Sequence, residues 1–326
     1  MYKLAIVGAT GVVGRKVLEI LEEKDLSIYE YVFFSSFKSA GSTIHFKGKD
    51  YIVRELTEDS FKKEHFDFAI FSAGGSTALH FAPIAASNGC TVIDNSNAFR
   101  MNPDVPLVVP EVNPEDILWH HGIISNPNCS TIQAVLPLKV LDDHYQIKRI
   151  VYSTYQAVSG AGLGGIQDLE NEIKGLPGEK FPHPIFNNCL PHIDVFMENG
   201  YTKEEEKMMN ETRKILHKPN LAITATCVRV PVFNCHSESI NVELEHDFNL
   251  TTVFEELQSF KNIVLIDDTQ KGLYPIATHC SGHDEVFVGR IRRDESIPYG
   301  LNLWVVADNL RKGAATNAIQ ILEKLI

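Results

Sequence analysis

Short apolar runs alternate with stretches of helical period along the first part of the chain. Leu4 to Val7 is a continuous apolar run, and Val17, Leu18 and Leu21 then recur at the spacing of one helix face. Strands are predicted again at Tyr31 to Phe34, Phe66 to Phe71 and Thr91 to Ile93, with a helix reaching about Ser87 before the last of them. Such alternation builds a doubly wound, mainly parallel sheet. Beyond Arg149 the texture changes. Ile150 to Val158, Leu221 to Phe233, Ser239 to Glu245 and Glu285 to Arg292 read as longer antiparallel strands, Leu301 to Ala307 as another, and a final helix starts at about Arg311. The fold class expected is therefore α/β. A doubly wound domain spans 1–128 and is completed by a C-terminal helix at 310–326, and an α+β domain occupies 129–309.

Composition narrows what such a chain can be. Its 326 residues, 44% of them hydrophobic, suffice for two cores and argue against disorder. No apolar run reaches membrane-spanning length and the chain opens directly on a strand, so a soluble, cytoplasmic protein without a leader is expected. The six cysteines lie far apart without metal-type spacing, which predicts reduced thiols and neither a disulfide framework nor a metal site. A formal charge of −12 with no basic tract excludes nucleic acid as a partner class. Anionic ligands then need local arginines and lysines.

Two loop types carry candidate chemistry. Gly8-Ala9-Thr10-Gly11-Val12-Val13-Gly14 follows the first strand and opens the first helix, the context in which glycines let backbone approach a pyrophosphate at a helix N-terminus. This makes the first domain Rossmann-like, although the spacing is GxxGxxG and any such loop alone is weak. The second strand ends in Ser35-Ser36-Phe37-Lys38-Ser39, where hydroxyls and a lysine suit a 2′-phosphate and point to NADP rather than NAD. Ser72 to Gly75 and Asp94-Asn95-Ser96 follow later strands and are expected at the same carboxyl edge.

Cys129 is the candidate nucleophile. It follows Asn126-Pro127-Asn128 and opens a helical run, so unpaired backbone N–H groups and the positive end of the helix dipole favour its thiolate. Cys235 and Cys227 lack that setting and read as packed small residues, and His120 and His121 as solvated loop residues. Gly160 to Asn188 is rich in glycine and proline and reads as a lid or a subunit-contact loop.

Taken together, the glycine loop, Ser35-Ser36 with Ser39-Ala40-Gly41, Asp94 to Arg100, Asn126-Pro127-Asn128-Cys129-Ser130-Thr131, Gln156 with Ser159-Gly160-Ala161-Gly162, Arg229-Val230-Pro231-Val232 with His236-Ser237, and Asp308 to Ala315 resemble bacterial aspartate-semialdehyde dehydrogenases. The motifs run in family order along nearly the whole chain. The resemblance implies NADPH-dependent reduction of L-aspartyl 4-phosphate to aspartate 4-semialdehyde through a cysteine thioester, in the biosynthesis of lysine and diaminopimelate, methionine and threonine. It also implies a homodimer or larger assembly, with the second domain catalytic and dimerising.

By the same resemblance, Cys129 is the nucleophile, His236 the acid/base and Gln156 a group positioning the intermediate. Arg229 grips the substrate carboxylate, Glu204 takes its ammonium, Arg100 and Lys207 bind phosphate, and Asn128 contributes to an oxyanion site. Cofactor contacts fall to Gly8, Thr10, Gly11, Val12, Val13, Ser35, Ser36, Lys38, Ser39, Ser72, Gly74, Ser159, Gly160 and Asn309. By composition alone Glu204 to Lys207 is a solvated, charged helix start. Glu206 stands where the family often has a bulky apolar residue, and a carboxylate beside Lys207 is expected to weaken phosphate binding. Two other readings fit parts of the pattern: an N-acetyl-glutamyl-phosphate reductase, whose acylated amine needs no carboxylate partner, and an NADP-binding sensor that has lost the chemistry.

Overall fold

The computed structural model describes residues 1–326. The chain divides into two units, one made of residues 1–128 with 314–326 and the other of 129–313.

The first unit is built on a parallel sheet. Its elements are β1 (Tyr2–Val7), α1 (Val12–Glu23), β2 (Ile28–Ser35), β3 (Thr43–Phe46), β4 (Lys49–Ile52), β5 (Arg54–Glu55), β6 (Phe68–Phe71), α2 (Gly75–Ser87), β7 (Thr91–Asp94) and β8 (Ile123–Ser125). The strand order is β5-β2-β1-β6-β7-β8, and every neighbour pair is parallel. Because both faces are covered, β1 from Leu4 onward and β6 read as unbroken apolar runs. One face holds Leu4, Ile6, Ile20, Leu21 and Ile70 with Ile319 and Leu322 of the C-terminal helix, and the other holds Val7, Phe34, Phe71, Ala82 and Val92. The hairpin β3–β4, outside this sheet, turns at Lys47 and Gly48, both at positive φ (47° and 72°).

The second unit pairs a mixed sheet with helices on one face. It comprises α3 (Cys129–Tyr145), β9 (Ile147–Gln156), α4 (Leu163–Ile173), α5 (Lys203–Ile215), β10 (Ala222–Arg229), β11 (His236–Leu244), α6 (Leu250–Ser259), β12 (Ile263–Leu265), β13 (Val286–Asp294) and β14 (Gly300–Ala307). The order is β10-β9-β11-β14-β13-β12. Burial along β11 alternates strictly: His236, Glu238, Ile240, Val242 and Leu244 face inward, while Ser237, Ser239, Asn241 and Glu243 face the other way. Each fully buried aliphatic there contributes about 1.5–3 kcal/mol relative to exposure. The helices α3, α5 and α6 pack on the inward side. Nearly every position of α3 up to Leu141 is buried, so that stretch has no polar stripe, and only the last turn exposes Asp143 and His144.

One expectation is corrected. β10 runs parallel to β9, in register from Ala222 opposite Arg149 to Arg229 opposite Gln156, and is not antiparallel. A parallel neighbour needs a long crossover, and the segment carrying α4 and α5 supplies it. The same strand stops at Arg229 instead of continuing to Phe233. Parallel pairing has a functional consequence: β9 and β10 end side by side, presenting Gln156 and Arg229 together.

Candidate active site

At the carboxyl edge of the first sheet, β1 and β6 are neighbours whose chains turn away in opposite directions, towards β2 and β7. Ligands bind at such a reversal of strand order. Gly8 lies there at φ 86°, and a Cβ on it would stand 2.7 Å from the Ser72 carbonyl; one on Gly14 would stand 2.1 Å from the Gly8 oxygen. Only glycine lets these segments pass so closely. Helix α1, whose first residues are Val12 and Val13, has Gly11 at its N-cap, and α2 has Gly74; neither cap makes a side-chain hydrogen bond and neither first turn is acidic. Two helix starts with unclaimed backbone donors at one edge fit the pyrophosphate of a dinucleotide. Thr10 Oγ1 and Ser35 Oγ are 2.9 Å apart, and Ser72 Oγ accepts from Asn95 Nδ2 at 2.8 Å. Ser36 and Lys38 are exposed just past β2, with Ser39 partly covered.

Arg100 is buried in the same unit, its Nε donating to the Asn126 carbonyl and Nη2 to the Asn95 carbonyl, both at 2.9 Å. Asn128, also buried, immediately precedes the cysteine.

In the second unit, Cys129 is the first residue of α3, a 17-residue helix with no acidic side chain in its first turn. Its Sγ lies 3.2 Å from Nε2 of His236, the first residue of β11. The other ring nitrogen decides the tautomer. Nδ1 accepts the backbone N–H of Ala157 at 3.0 Å, so the proton of the neutral ring sits on Nε2 and faces the sulfur. Burial, and after it the Arg229 guanidinium, push the imidazolium down to about 3, so the ring is neutral at ordinary pH. A neutral Nε2–H beside the sulfur is a donor, not an acceptor.

Gln156 closes β9, and its Nε2 donates to Ser130 Oγ at 2.7 Å and Glu204 Oε1 at 3.0 Å. Arg229 closes β10 with Nη1 donating to the Ala157 carbonyl at 2.7 Å. Ala157 therefore holds two candidate site side chains, His236 and Arg229, through its backbone alone. Glu204 is on the first turn of α5 but is only 5% exposed, against the solvated helix start that composition suggests. The reason is the cap: Thr202 and Glu205 form a capping box, which turns the second and third residues inward. Lys207 Nζ lies 3.0 Å from Glu204 Oε2 and 2.7 Å from Asp194 Oδ2. Glu206 instead accepts from Asn199 and Asn210, each through Nδ2, so the carboxylates beside Lys207 are Glu204 and Asp194.

Ser159, Gly160 and Asn309 also converge. Asn309 Nδ2 donates to Ser159 Oγ at 3.0 Å while its Oδ1 accepts from the Cys235 backbone at 3.0 Å. That bond holds Cys235 at φ 72° and thereby orients the adjacent His236. Burial raises the thiols of Cys235 and Cys227, opposite to what a nucleophile needs. Sequence reasoning did not single out Ser130, Ala157, Asp194 or Glu238. Glu238, two residues along β11 from His236, is fully buried with neither carboxylate oxygen hydrogen-bonded. Burial raises it well above the ordinary carboxylate range.

Comparison with known proteins is consistent across the chain. Residues 3–120 match the NAD-binding domain of semialdehyde dehydrogenases, and residues 138–312 match their dimerisation domain. The chain is 55% identical over 335 residues to the aspartate-semialdehyde dehydrogenase of Aquifex aeolicus, covering 100% of this chain and 98% of that one. Aspartate-semialdehyde dehydrogenase II of Vibrio cholerae, solved in complex with ASA, superposes with a TM-score of 0.94 at 46% identity, over 100% of this chain and 98% of the other. The Candida albicans enzyme, solved with NADP, gives a TM-score of 0.78 at 25% identity, over 100% and 98% of the two chains.

Proposed function

The chain belongs to the aspartate-semialdehyde dehydrogenase family, and on that premise we propose that it reduces L-aspartyl 4-phosphate to aspartate 4-semialdehyde with NADPH, reversibly, through a thioester on Cys129. The observation that carries this reading is the Cys129 sulfur at the start of α3, 3.2 Å from the nitrogen of His236 that bears the proton.

The sulfur attacks the acyl carbon, a C–S bond forms, the C–O bond to phosphate breaks and phosphate leaves. Bound NADPH supplies the hydride. The C–S bond then breaks to release the aldehyde and restore the thiolate. Throughout, Nε2–H of His236 donates to the sulfur, and an oxygen on a carbon bonded to that sulfur comes within reach of the same proton. Gln156, anchored on Ser130 and Glu204, steadies the adduct. Arg229 takes the α-carboxylate with a planar fork, and Glu204 takes the α-ammonium. Arg100 and Lys207 take the phosphate. Gly8, Gly11, Gly74 and the two uncapped helix starts hold the dinucleotide, and Ser35, Ser36 and Lys38 favour its 2′-phosphate.

The working assembly in this reading is a homodimer formed on the outer face of the second sheet. Tyr155 is exposed there beside the half-buried Trp304, their rings 5.7 Å apart, next to a groove of about 440 Å³ lined by Tyr274, Ile276, Arg290 and Arg292.

Oxidation of aspartate semialdehyde with phosphate and NADP, run beside N-acetylglutamate semialdehyde, tests the substrate. Preference for the unacylated amine is expected. Cys129→Ala is expected to abolish turnover with NADPH binding retained; turnover that survives it ends the thioester route.

A further inference from the structure

The carboxylate assigned above to the substrate's ammonium is already engaged. Glu204 Oε1 accepts from Gln156 at 3.0 Å, and Oε2 holds the Lys207 ammonium at 3.0 Å. Burial alone would lower Lys207, but Glu204 and Asp194 outweigh it and raise it above its ordinary value, so Lys207 is a cation shared between two carboxylates. Asp194 is built for its share. Its backbone is in the left-handed region at φ 67°, its Oδ1 accepts the Val195 N–H at 2.9 Å, and its Oδ2 is left facing Lys207 at 2.7 Å. Aspartate tolerates that conformation because its short side chain can bond the local backbone, as Asp194 does to Val195, and the bond fixes the direction in which Oδ2 points. Glu206 offers no substitute, being bonded to Asn199 and Asn210.

Charge then sets the condition for binding. Glu204, Asp194 and Lys207 sum to one negative charge, which an incoming ammonium neutralises while the substrate's carboxylate goes to the nearby Arg229, whose charge also acts on Glu204. Were Asp194 uncharged, the same arrival would leave two cations competing for one buried carboxylate, and like charges a few ångströms apart in a half-buried site repel strongly.

We propose that Asp194 is a positioning residue that draws Lys207 away from Glu204, so that the substrate's α-ammonium can take the Glu204 oxygen. This rests on the reading of Glu204 as the ammonium's partner. Asp194 does not touch substrate; it acts through Lys207.

The test uses initial rates of the full-length enzyme with aspartate semialdehyde, phosphate and NADP. Asp194→Asn is expected to raise KM for the semialdehyde by ~10-fold or more, with kcat within about threefold and KM for NADP unchanged. Asp194→Glu is expected to recover most of the loss. In a Lys207→Met background, assayed at phosphate concentrations raised until they saturate because Lys207 is also assigned to phosphate, Asp194→Asn is expected to add nothing further to KM for the semialdehyde, because the competing cation is gone. A rise of equal size with and without Lys207, matched by a lower melting temperature, would show a merely structural role and overturn the proposal. Glu204→Gln separates the two levels. If it leaves KM for the semialdehyde unchanged, the ammonium reading itself fails; if it raises that KM while Asp194→Asn does not, only the role of Asp194 is lost.

Discussion

Gly160→Ala puts a single methyl group against two of the candidate site side chains, Arg229 and His236. A Cβ at this position would lie 2.8 Å from Nη1 of Arg229 and 3.1 and 3.2 Å from Cε1 and Nε2 of His236. The first distance falls roughly half an ångström short of an ordinary contact, and the others by a few tenths. An arginine tip usually moves aside cheaply, but this one is buried and its Nη1 is bonded to the Ala157 carbonyl at 2.7 Å. The His236 ring is pinned by the amide of the same residue at 3.0 Å. Strain therefore passes into the 3.2 Å contact between His236 and the Cys129 sulfur. Reacting groups tolerate displacements of about 0.5 Å, and a misplacement of about 1 Å can cost ~100-fold. We expect kcat/KM for aspartate semialdehyde to fall ~10- to 100-fold, or ~1.4 to 2.7 kcal/mol in transition-state stabilisation. Overpacking should also cost about 1–3 kcal/mol of stability. The assay is NADPH formation followed by absorbance, with semialdehyde and NADP varied separately, because Gly160 is also assigned to the cofactor. If its only task is to line the cofactor, KM for NADP rises alone. A semialdehyde kcat/KM within twofold of the parent would refute the packing argument.

Two further substitutions probe the same unit. Glu238→Gln tests the buried, unbonded carboxyl: its folded pKa is raised, so its stabilising contribution is complete below about 4.5 and is lost as pH rises above that, at ~1.4 kcal/mol per pH unit until the folded pKa is passed. The neutral amide removes that slope, so thermal melts of variant and parent should diverge in the variant's favour as pH rises, and parallel curves would show that Glu238 is not held protonated. Arg229→Lys should raise KM for aspartate semialdehyde ~10- to 100-fold, the loss of one charge-assisted hydrogen bond from a paired set, with KM for NADP little changed. An unaltered semialdehyde KM would remove Arg229 from carboxylate recognition.

The α/β class was legible because a strand buried on both faces reads as an apolar run, and in the first unit each long run breaks at a glycine or a serine that the turn requires: Gly8 after β1, Ser72 before Gly74 after β6. β5, of two residues, and β12, of three, are too short to show a period. The β3–β4 hairpin turns on Lys47-Gly48 where an Asn-Gly or Asp-Gly pair would have announced it. The direction of β10 was misread for a deeper reason: a half-buried strand alternates in the same way whether its neighbour runs parallel or antiparallel, so only the crossover distinguishes the two. Cys129 could be picked out because it opens a helical run just after a strand breaks at a proline, whereas Gln156, Arg229 and His236 were marked only by the family resemblance, since the strands expected there ran on to Val158 and Phe233 and began at Ser239. Asp194 has no such marker, since it stands in an irregular segment and matters through one ion pair. Ala157 is further out of reach. The proton of His236 is directed at the sulfur by an amide that any residue except proline carries, so no side-chain identity at position 157 could have disclosed it. Residue types and the resemblance marked the candidate groups; which of them donates and which accepts depends on backbone that has no signature in the sequence.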